Sequence, residues 1–288
     1  MSTEPRIELS LKATLQFACE APCPPKLRSA IHHAVFPGGA RVRPRLCLAV
    51  AAACGDDEPD LANGAAAAIE LLHCASLVHD DLPCFDDADE RRGKPSVHKA
   101  FGAPLAVLAG DALIVAAFQT LGLCMPISAQ RGARILSTVA AAVGGPCGIV
   151  AGQAWECEEE ICISEYHRAK TGSLFSAATI TGAEAAGYES EPWRRLGDLL
   201  GEAYQIADDI CDVVADPKER GKPGKRDIAL GRPNAAEELG VEGAVRRLRS
   251  LLADATDSVP VCPGSDELRV HIARSALPYL PKELLVAA

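Results

Sequence analysis

Two clusters of aspartates stand far apart in the chain. The first reads His79-Asp80-Asp81-Leu82-Pro83-Cys84-Phe85-Asp86-Asp87 and is followed by Arg91-Arg92-Gly93-Lys94. The second reads Gln205-Ile206-Ala207-Asp208-Asp209-Ile210-Cys211-Asp212. Each closes a strongly apolar stretch. Carboxylates that face one another across an apolar cavity repel and lose hydration. Hard divalent cations remove both penalties, and Mg²⁺ binds a few carboxylates together with substrate phosphates. The pattern points to a phosphorylated substrate held through metal bridges.

Spacing refines this. Asp208 and Asp212 are four residues apart and share one helix face. Alone, that run reads equally well as a solvated helix end. In the first cluster, Asp80 and Asp86 are six apart and would diverge on a regular helix. Pro83 removes a backbone donor and disrupts the last turn, which would swing Asp86 back toward Asp80. Arg91 and Arg92 add planar guanidinium forks suited to phosphate. Further cations stand at chain breaks: Arg41, Arg43 and Arg45; Lys170 of Lys170-Thr171-Gly172; and a basic run from Lys218 to Arg226 that includes Lys222. Each alone is an ordinary surface charge. Beside two acidic clusters they suggest two anionic groups to neutralise. His73 precedes Asp80 by nearly two turns and faces broadly the same way.

The elements that must position these residues are helical. Period-two alternation is scarce, and Ala- or Leu-rich helical patterns recur. Helices are expected near 8–20, 26–36, 42–54, 61–80, 103–124, 129–145, 165–187, 192–215 and 240–256. The segments 61–79 and 103–124 are apolar nearly all round, which places them inside a large bundle. The segment 103–124 is interrupted by Gly110-Asp111 and Gln119, so it reads as a buried helix and not a membrane span. No linker is long enough to divide the chain, so residues 1–288 are expected to form one all-α domain, a single bundle with a central cavity.

Composition agrees with that class. Hydrophobic residues make up 48% and aromatics only 4%, which favours close-packed helices. A net charge of −10 argues against a nucleic-acid partner. The twelve cysteines are scattered without a CxxC pair, so zinc is not expected. The first twenty residues have no long apolar run, so no signal peptide is expected and the thiols read as reduced, in the cytoplasm.

The stretches GGARVRP (38–44), HDDLPCFDDADERRGKP (79–95), GQ (152–153), KTG (170–172) and QIADDICD (205–212) resemble the trans-isoprenyl diphosphate synthases. The resemblance runs from about residue 25 to 240, in the family's order and spacing. The wording around the motifs is similar to the bacterial geranylgeranyl diphosphate synthases of carotenoid pathways. What this resemblance implies is an all-α homodimer that joins isopentenyl diphosphate to an allylic diphosphate (dimethylallyl, geranyl or farnesyl). By the same resemblance Asp80, Asp81, Asp86, Asp208 and Asp212 would hold about three Mg²⁺ ions on the allylic diphosphate. Arg91, Lys170 and Lys222 would contact that diphosphate. Arg43, His73 and Arg92 would hold isopentenyl diphosphate. Lys170, Thr171 and Gln205 would serve the chemical step, the last two by steadying the allylic cation. The Lys218–Arg226 run is expected to close as a lid.

The chain also departs from the family. A lysine is usual at position 40, where this chain has alanine; Arg41 or Arg45 is the expected substitute. Ala75 and Ser76, five and four residues before Asp80, are small, and a bulky residue there would block the growing tail. An open floor favours the C20 product, geranylgeranyl diphosphate. Farnesyl diphosphate synthase is the alternative, and a non-catalytic partner subunit a further one, although such subunits typically lose their aspartates. A terpene cyclase would carry Asn, Ser and Glu in its second metal motif.

Overall fold

Leu- and Ala-rich runs with few β-branched residues lose little side-chain entropy in helices, and nearly every element obeys that preference. The structure, a computed structural model, describes residues 3–20, 22–36, 39–160, 162–214 and 234–275. The helices are α1 (Thr3–Ala18), α2 (Pro25–Val35), α3 (Val42–Ala53), α4 (Pro59–Asp80), α5 (Val97–Phe101), α6 (Ala103–Cys124) and α7 (Ala129–Val143). They continue with α8 (Ile149–Ala154), α9 (Ile163–His167), α10 (Ser173–Ala185), α11 (Glu191–Val214), α12 (Ala235–Asp257) and α13 (Ser265–Ser275). Two short antiparallel strands, β1 (Glu90–Arg91) and β2 (Lys94–Pro95), form a hairpin after the first aspartate cluster.

Helices α4 and α10 are the central pair. Every residue of α10 from Leu174 to Ala185 is buried, and α4 buries most of its length. Helix α4 packs chiefly on α6, while α10 packs on α11, α3, α7 and α4. Thus the helices that end in aspartates, α4 and α11, are braced from the same core. A second, smaller core joins Ile206 and Ile210 of α11 to Ala244, Leu248 and Leu251 of α12.

The structure amends several expected boundaries. The expected helix over 165–187 is α9, a π-helical turn over Arg168–Gly172, and then α10. Such turns add a residue to the ladder and commonly occur at functional sites. Helix α12 begins at Ala235, five residues before the expected start, because Asn234 caps it by accepting from the N–H groups of Ala236 and Glu237. It kinks at Gly240, whose φ of 69° only glycine adopts cheaply. Helices α5, α8 and α13 and the hairpin were not anticipated. The hairpin follows from Arg92-Gly93, a two-residue loop with both φ values positive, 56° and 72°.

By length and hydropathy α4 and α6 could each cross a membrane. In this fold both pack into the bundle. Helix α6 buries Ala106, Ala109, Leu113 and Ala117 but exposes Leu108, Val115 and Leu123.

Candidate active site

The first aspartate cluster is set by a reversal of the chain at the end of α4. Beyond Asp80 the helix cannot continue through Pro83, and the loop folds back. The Asp86 N–H donates to the Asp80 carbonyl at 2.9 Å, and Ala88 N–H to the Asp81 carbonyl at 3.1 Å. Carboxylate oxygens of Asp80, Asp86 and Glu156 thereby come within 4.8 Å of one another. Opposite ligands of an octahedral Mg²⁺ lie roughly 4.2 Å apart, so a small inward shift of these side chains would let the trio hold the ion. Among the described residues Asp208 and Asp212 join no such trio.

Asp81 does different work. It is buried and accepts two bonds from Arg91 Nε, at 2.9 and 3.2 Å, and a further one from Nη2. The same guanidinium lies 3.8 Å from Asp80. Arg91 therefore sits at the cluster, anchored by Asp81. Asp87 and Asp89 are occupied outside it by Lys99, at 3.2 and 2.9 Å.

The π-helical turn brings the KTG residues to this cluster. Gly152 of α8 lies against it so closely that a Cβ would stand 2.4 Å from the Lys170 nitrogen. Lys170 Nζ reaches Asp80 at 3.2 Å and bonds to Glu156. Glu156 also accepts from the Tyr166 hydroxyl at 2.7 Å and from Gln153 at 2.9 Å. Next along, the Thr171 hydroxyl donates to Gln205 Oε1 at 2.8 Å. Gln205 stands one turn before Asp208 on α11. Lys170 and Thr171 thus link the two aspartate clusters across the mouth of the bundle. Asp209 turns away: it is buried and accepts from Gln205 Nε2 at 3.0 Å and Ala235 N–H at 2.9 Å. Burial pushes its carboxyl up, and those two donors oppose the shift.

A second cationic group lies beside α3. Arg43 approaches His73 Nε2 at 3.5 Å and stacks on Phe175 and Tyr204, at 4.6 and 5.6 Å from the ring centroids. The Arg92 guanidinium packs over Gly39, just before α3. Burial raises the Tyr204 hydroxyl pKa, and the Arg43 guanidinium over its ring opposes the rise.

Position 40 lies on a cavity of about 530 Å³ behind the Phe175–Tyr204 pair, shared with Arg45, His271 and Arg274. Arg41, expected as a substitute cation, is spent elsewhere. It is buried and bonded to Glu70 at 2.6 Å, Glu8 at 2.9 Å and the Val35 carbonyl at 2.9 Å. That leaves Arg45 as the candidate beside Ala40.

Ala75 is buried, whereas Ser76 is half-buried on the face of α4 that carries His73 and Asp80. Leu77 shares that face and was not singled out from the sequence. Lys222 and the expected lid, 218–226, lie outside the described residues. Glu156 was also missed, because an acidic run, Glu156 to Glu160, reads as solvated surface without the fold. The adjacent GQ stretch was its one sequence signal.

None of the twelve cysteines forms a disulfide. Burial pushes Cys47, Cys54 and Cys74 up to about 12, so these are inert core groups.

The profile of the polyprenyl synthetase family matches residues 24–259. A geranylgeranyl diphosphate synthase of Cereibacter sphaeroides is 51% identical over 99% of both chains. One from Rhodobacter capsulatus is 50% identical over 93% of both. Among solved structures, a geranyltransferase of Helicobacter pylori complexed with magnesium and isoprenyl diphosphate superposes with a TM-score of 0.78. It is 28% identical, and the match covers 96% of this chain and 99% of that one.

Proposed function

The chain belongs to the polyprenyl synthetase family and is a prenyltransferase of isoprenoid biosynthesis, and from this premise we propose that it makes geranylgeranyl diphosphate. The reaction is the Mg²⁺-dependent, head-to-tail addition of isopentenyl diphosphate to dimethylallyl, geranyl and farnesyl diphosphates. The observation that carries the reading is the Asp80–Asp86–Glu156 trio bridged by Lys170, set beside a separate cationic group at Arg43 and Arg92. Two anionic substrates need two such groups.

In this reading Asp80, Asp86 and Glu156, with Asp208 and Asp212 of the second cluster, would hold about three Mg²⁺ ions. Bound there, the metal would supply charge withdrawal from the oxygens of the departing diphosphate. Arg91, Lys170 and Lys222 meet those oxygens, and preorganised cations there favour the transition state over the ground state. Asp81 aims Arg91. Arg43, His73 and Arg92 hold isopentenyl diphosphate with its double bond toward the allylic carbon. Thr171 and Gln205 place oxygen lone pairs beside the allylic cation. The new C–C bond forms, and a proton leaves to the departed diphosphate. Apolar walls exclude water, which would otherwise trap the cation as an alcohol.

Residues 1–288 act as one catalytic unit, and the cytoplasm is its site. Twelve cysteines outside any disulfide suit that reducing compartment. The exposed stripe Leu108, Val115 and Leu123 of α6 supports a homodimer, since a second copy would cover it. The relatives' names support the C20 product; a place in carotenoid supply rests on the resemblance of the motif wording alone.

The test is incorporation of labelled isopentenyl diphosphate into an acid-labile, extractable product with each allylic starter. Incorporation should require Mg²⁺ and stop with excess EDTA. No incorporation from any starter would refute the reading.

A further inference from the structure

The two adjacent aspartates Asp208 and Asp209 are not equivalent. Asp209 is buried against the start of α12, where its two oxygens accept from Ala235 N–H at 2.9 Å and from Gln205 Nε2 at 3.0 Å. Gln205 Oε1 accepts from the Thr171 hydroxyl at 2.8 Å. The cap residue Asn234 does not compete: its side-chain oxygen accepts from the N–H groups of Ala236 and Glu237, and its NH₂ donates to the Asp209 backbone carbonyl at 3.4 Å. We propose that Asp209 is a positioning residue: it sets the polarity of the relay Ala235–Asp209–Gln205–Thr171, so that Thr171 turns lone pairs, not its proton, to the allylic cation. The proposal rests on the condensation reading given above.

The polarity follows from the ends of the relay. A backbone N–H can only donate, so the Ala235 N–H takes one Asp209 oxygen, and the other oxygen is left to accept from Gln205 Nε2 at 3.0 Å. Gln205 must therefore offer its NH₂ to Asp209 and its carbonyl oxygen to Thr171. Thr171 then spends its one proton on Gln205, and its lone pairs face elsewhere. Lone pairs stabilise a neighbouring cation, and an O–H proton in the same place repels it.

Asp209→Asn inverts the relay at nearly constant shape. The introduced amide must keep its oxygen on the Ala235 N–H, so its NH₂ faces Gln205. The Gln205 amide turns over and donates to Thr171, whose proton is released toward the cavity. The cation then survives less well and is trapped more often. Water forms a C–O bond to it, and the surplus proton leaves to the departed diphosphate. The ratio of allylic alcohol to condensation product should rise about tenfold. The kcat for condensation should fall, with KM for both substrates unchanged.

Ala235→Pro supplies the control. It deletes the N–H donor at the first position of a helix, where proline is tolerated. Asn234, with φ −132° and ψ 119°, already has the extended backbone that proline requires before it. In D209N/A235P the oxygen of the introduced amide can turn to Gln205, and the alcohol ratio should return to the wild-type value. A purely structural role for Asp209 would leave the double variant leaking at least as much as the single one. The ratio is counted per turnover, so it does not depend on how much protein is folded. If the amide variant gives no active protein, Asp209→Ala, which leaves Gln205 without a fixed orientation, should also leak more than wild type.

The experiment measures alcohol and condensation products from each purified variant with Mg²⁺, isopentenyl diphosphate and geranyl diphosphate. Raised leakage in D209N that A235P reverses is the expected result. Wild-type leakage in D209N, or leakage that A235P does not relieve, would overturn the relay alone. No condensation by the wild type would overturn the reaction and the relay with it.

Discussion

Lys170 Nζ stands 3.2 Å from Asp80 and is bonded as well to Glu156, so one ammonium bridges carboxylates from two separate segments of the chain. Those carboxylates also belong to the trio suited to Mg²⁺. Lys170 therefore offsets their repulsion and competes mildly with the metal. Lys170→Ala should lower kcat by about 10²–10³, as for other losses of a charge-stabilising donor. Its Mg²⁺ midpoint in a metal titration should fall. Glu156→Gln should act in the opposite sense on metal, raising the midpoint about tenfold. Equal Mg²⁺ midpoints in all three proteins would place the metal elsewhere.

Arg41 and Glu70 form a buried pair at 2.6 Å, with both side chains almost wholly inaccessible. Removing Glu70 takes away the buried counterion of Arg41 and leaves only the more exposed Glu8 at 2.9 Å, at a cost below the roughly 3–5 kcal/mol of a fully broken buried pair. Glu70→Leu should lower the urea midpoint accordingly. KM for isopentenyl diphosphate should change little in the enzyme that remains folded. A raised KM without lost stability would return Arg41 to the substrate site.

Ser76 and Ala75 are neighbours in sequence but differ in what they face. Ser76 shares the half-buried face of α4 with Asp80, while Ala75 is 1% exposed within the core. Ser76→Phe should cut the product from C20 to C15 with little loss of stability. Ala75→Phe overpacks the core and should cost about 1–3 kcal/mol in a denaturation curve. Product shortened by the change at 75 and not at 76 would move the floor to the other side of α4.

Glu184, in α10, is buried, and burial raises its carboxyl pKa above 4.5, although the Ser190 and Thr138 hydroxyls pull it down. A raised folded-state pKa means that the folded protein holds the proton more tightly. The resulting stability is fully present below the unfolded pKa and is lost as pH rises through the folded one. Glu184→Gln has no proton to lose there. Its urea midpoint should gain on the wild type as pH rises from below 4.5, then level off. A difference that does not vary with pH would show that Glu184 titrates as in water.

Much of this arrangement was legible before the fold was known. Apolar periodicity marked the helices that carry Asp80 and Asp208, because long helices advertise their buried faces. Pro83 foretold the return of Asp86 toward Asp80. What escaped depends on contacts between distant segments. Glu156 looks like surface acid until α8 packs on the π-helical turn. The π turn itself leaves no mark in a helical pattern. Arg41 and Arg43 look alike in sequence, yet the left-handed backbone at Arg41, φ 52°, sends it to Glu70. Asp208 and Asp209 are likewise separated only by which one meets α12.

The most direct test of the account is the size of the product. Purified protein would be given isopentenyl diphosphate, Mg²⁺ and each of dimethylallyl, geranyl and farnesyl diphosphate, and the products sized by mass spectrometry. The account predicts a C20 diphosphate from all three starters. A product that stops at C15, with farnesyl diphosphate left unextended, would contradict it.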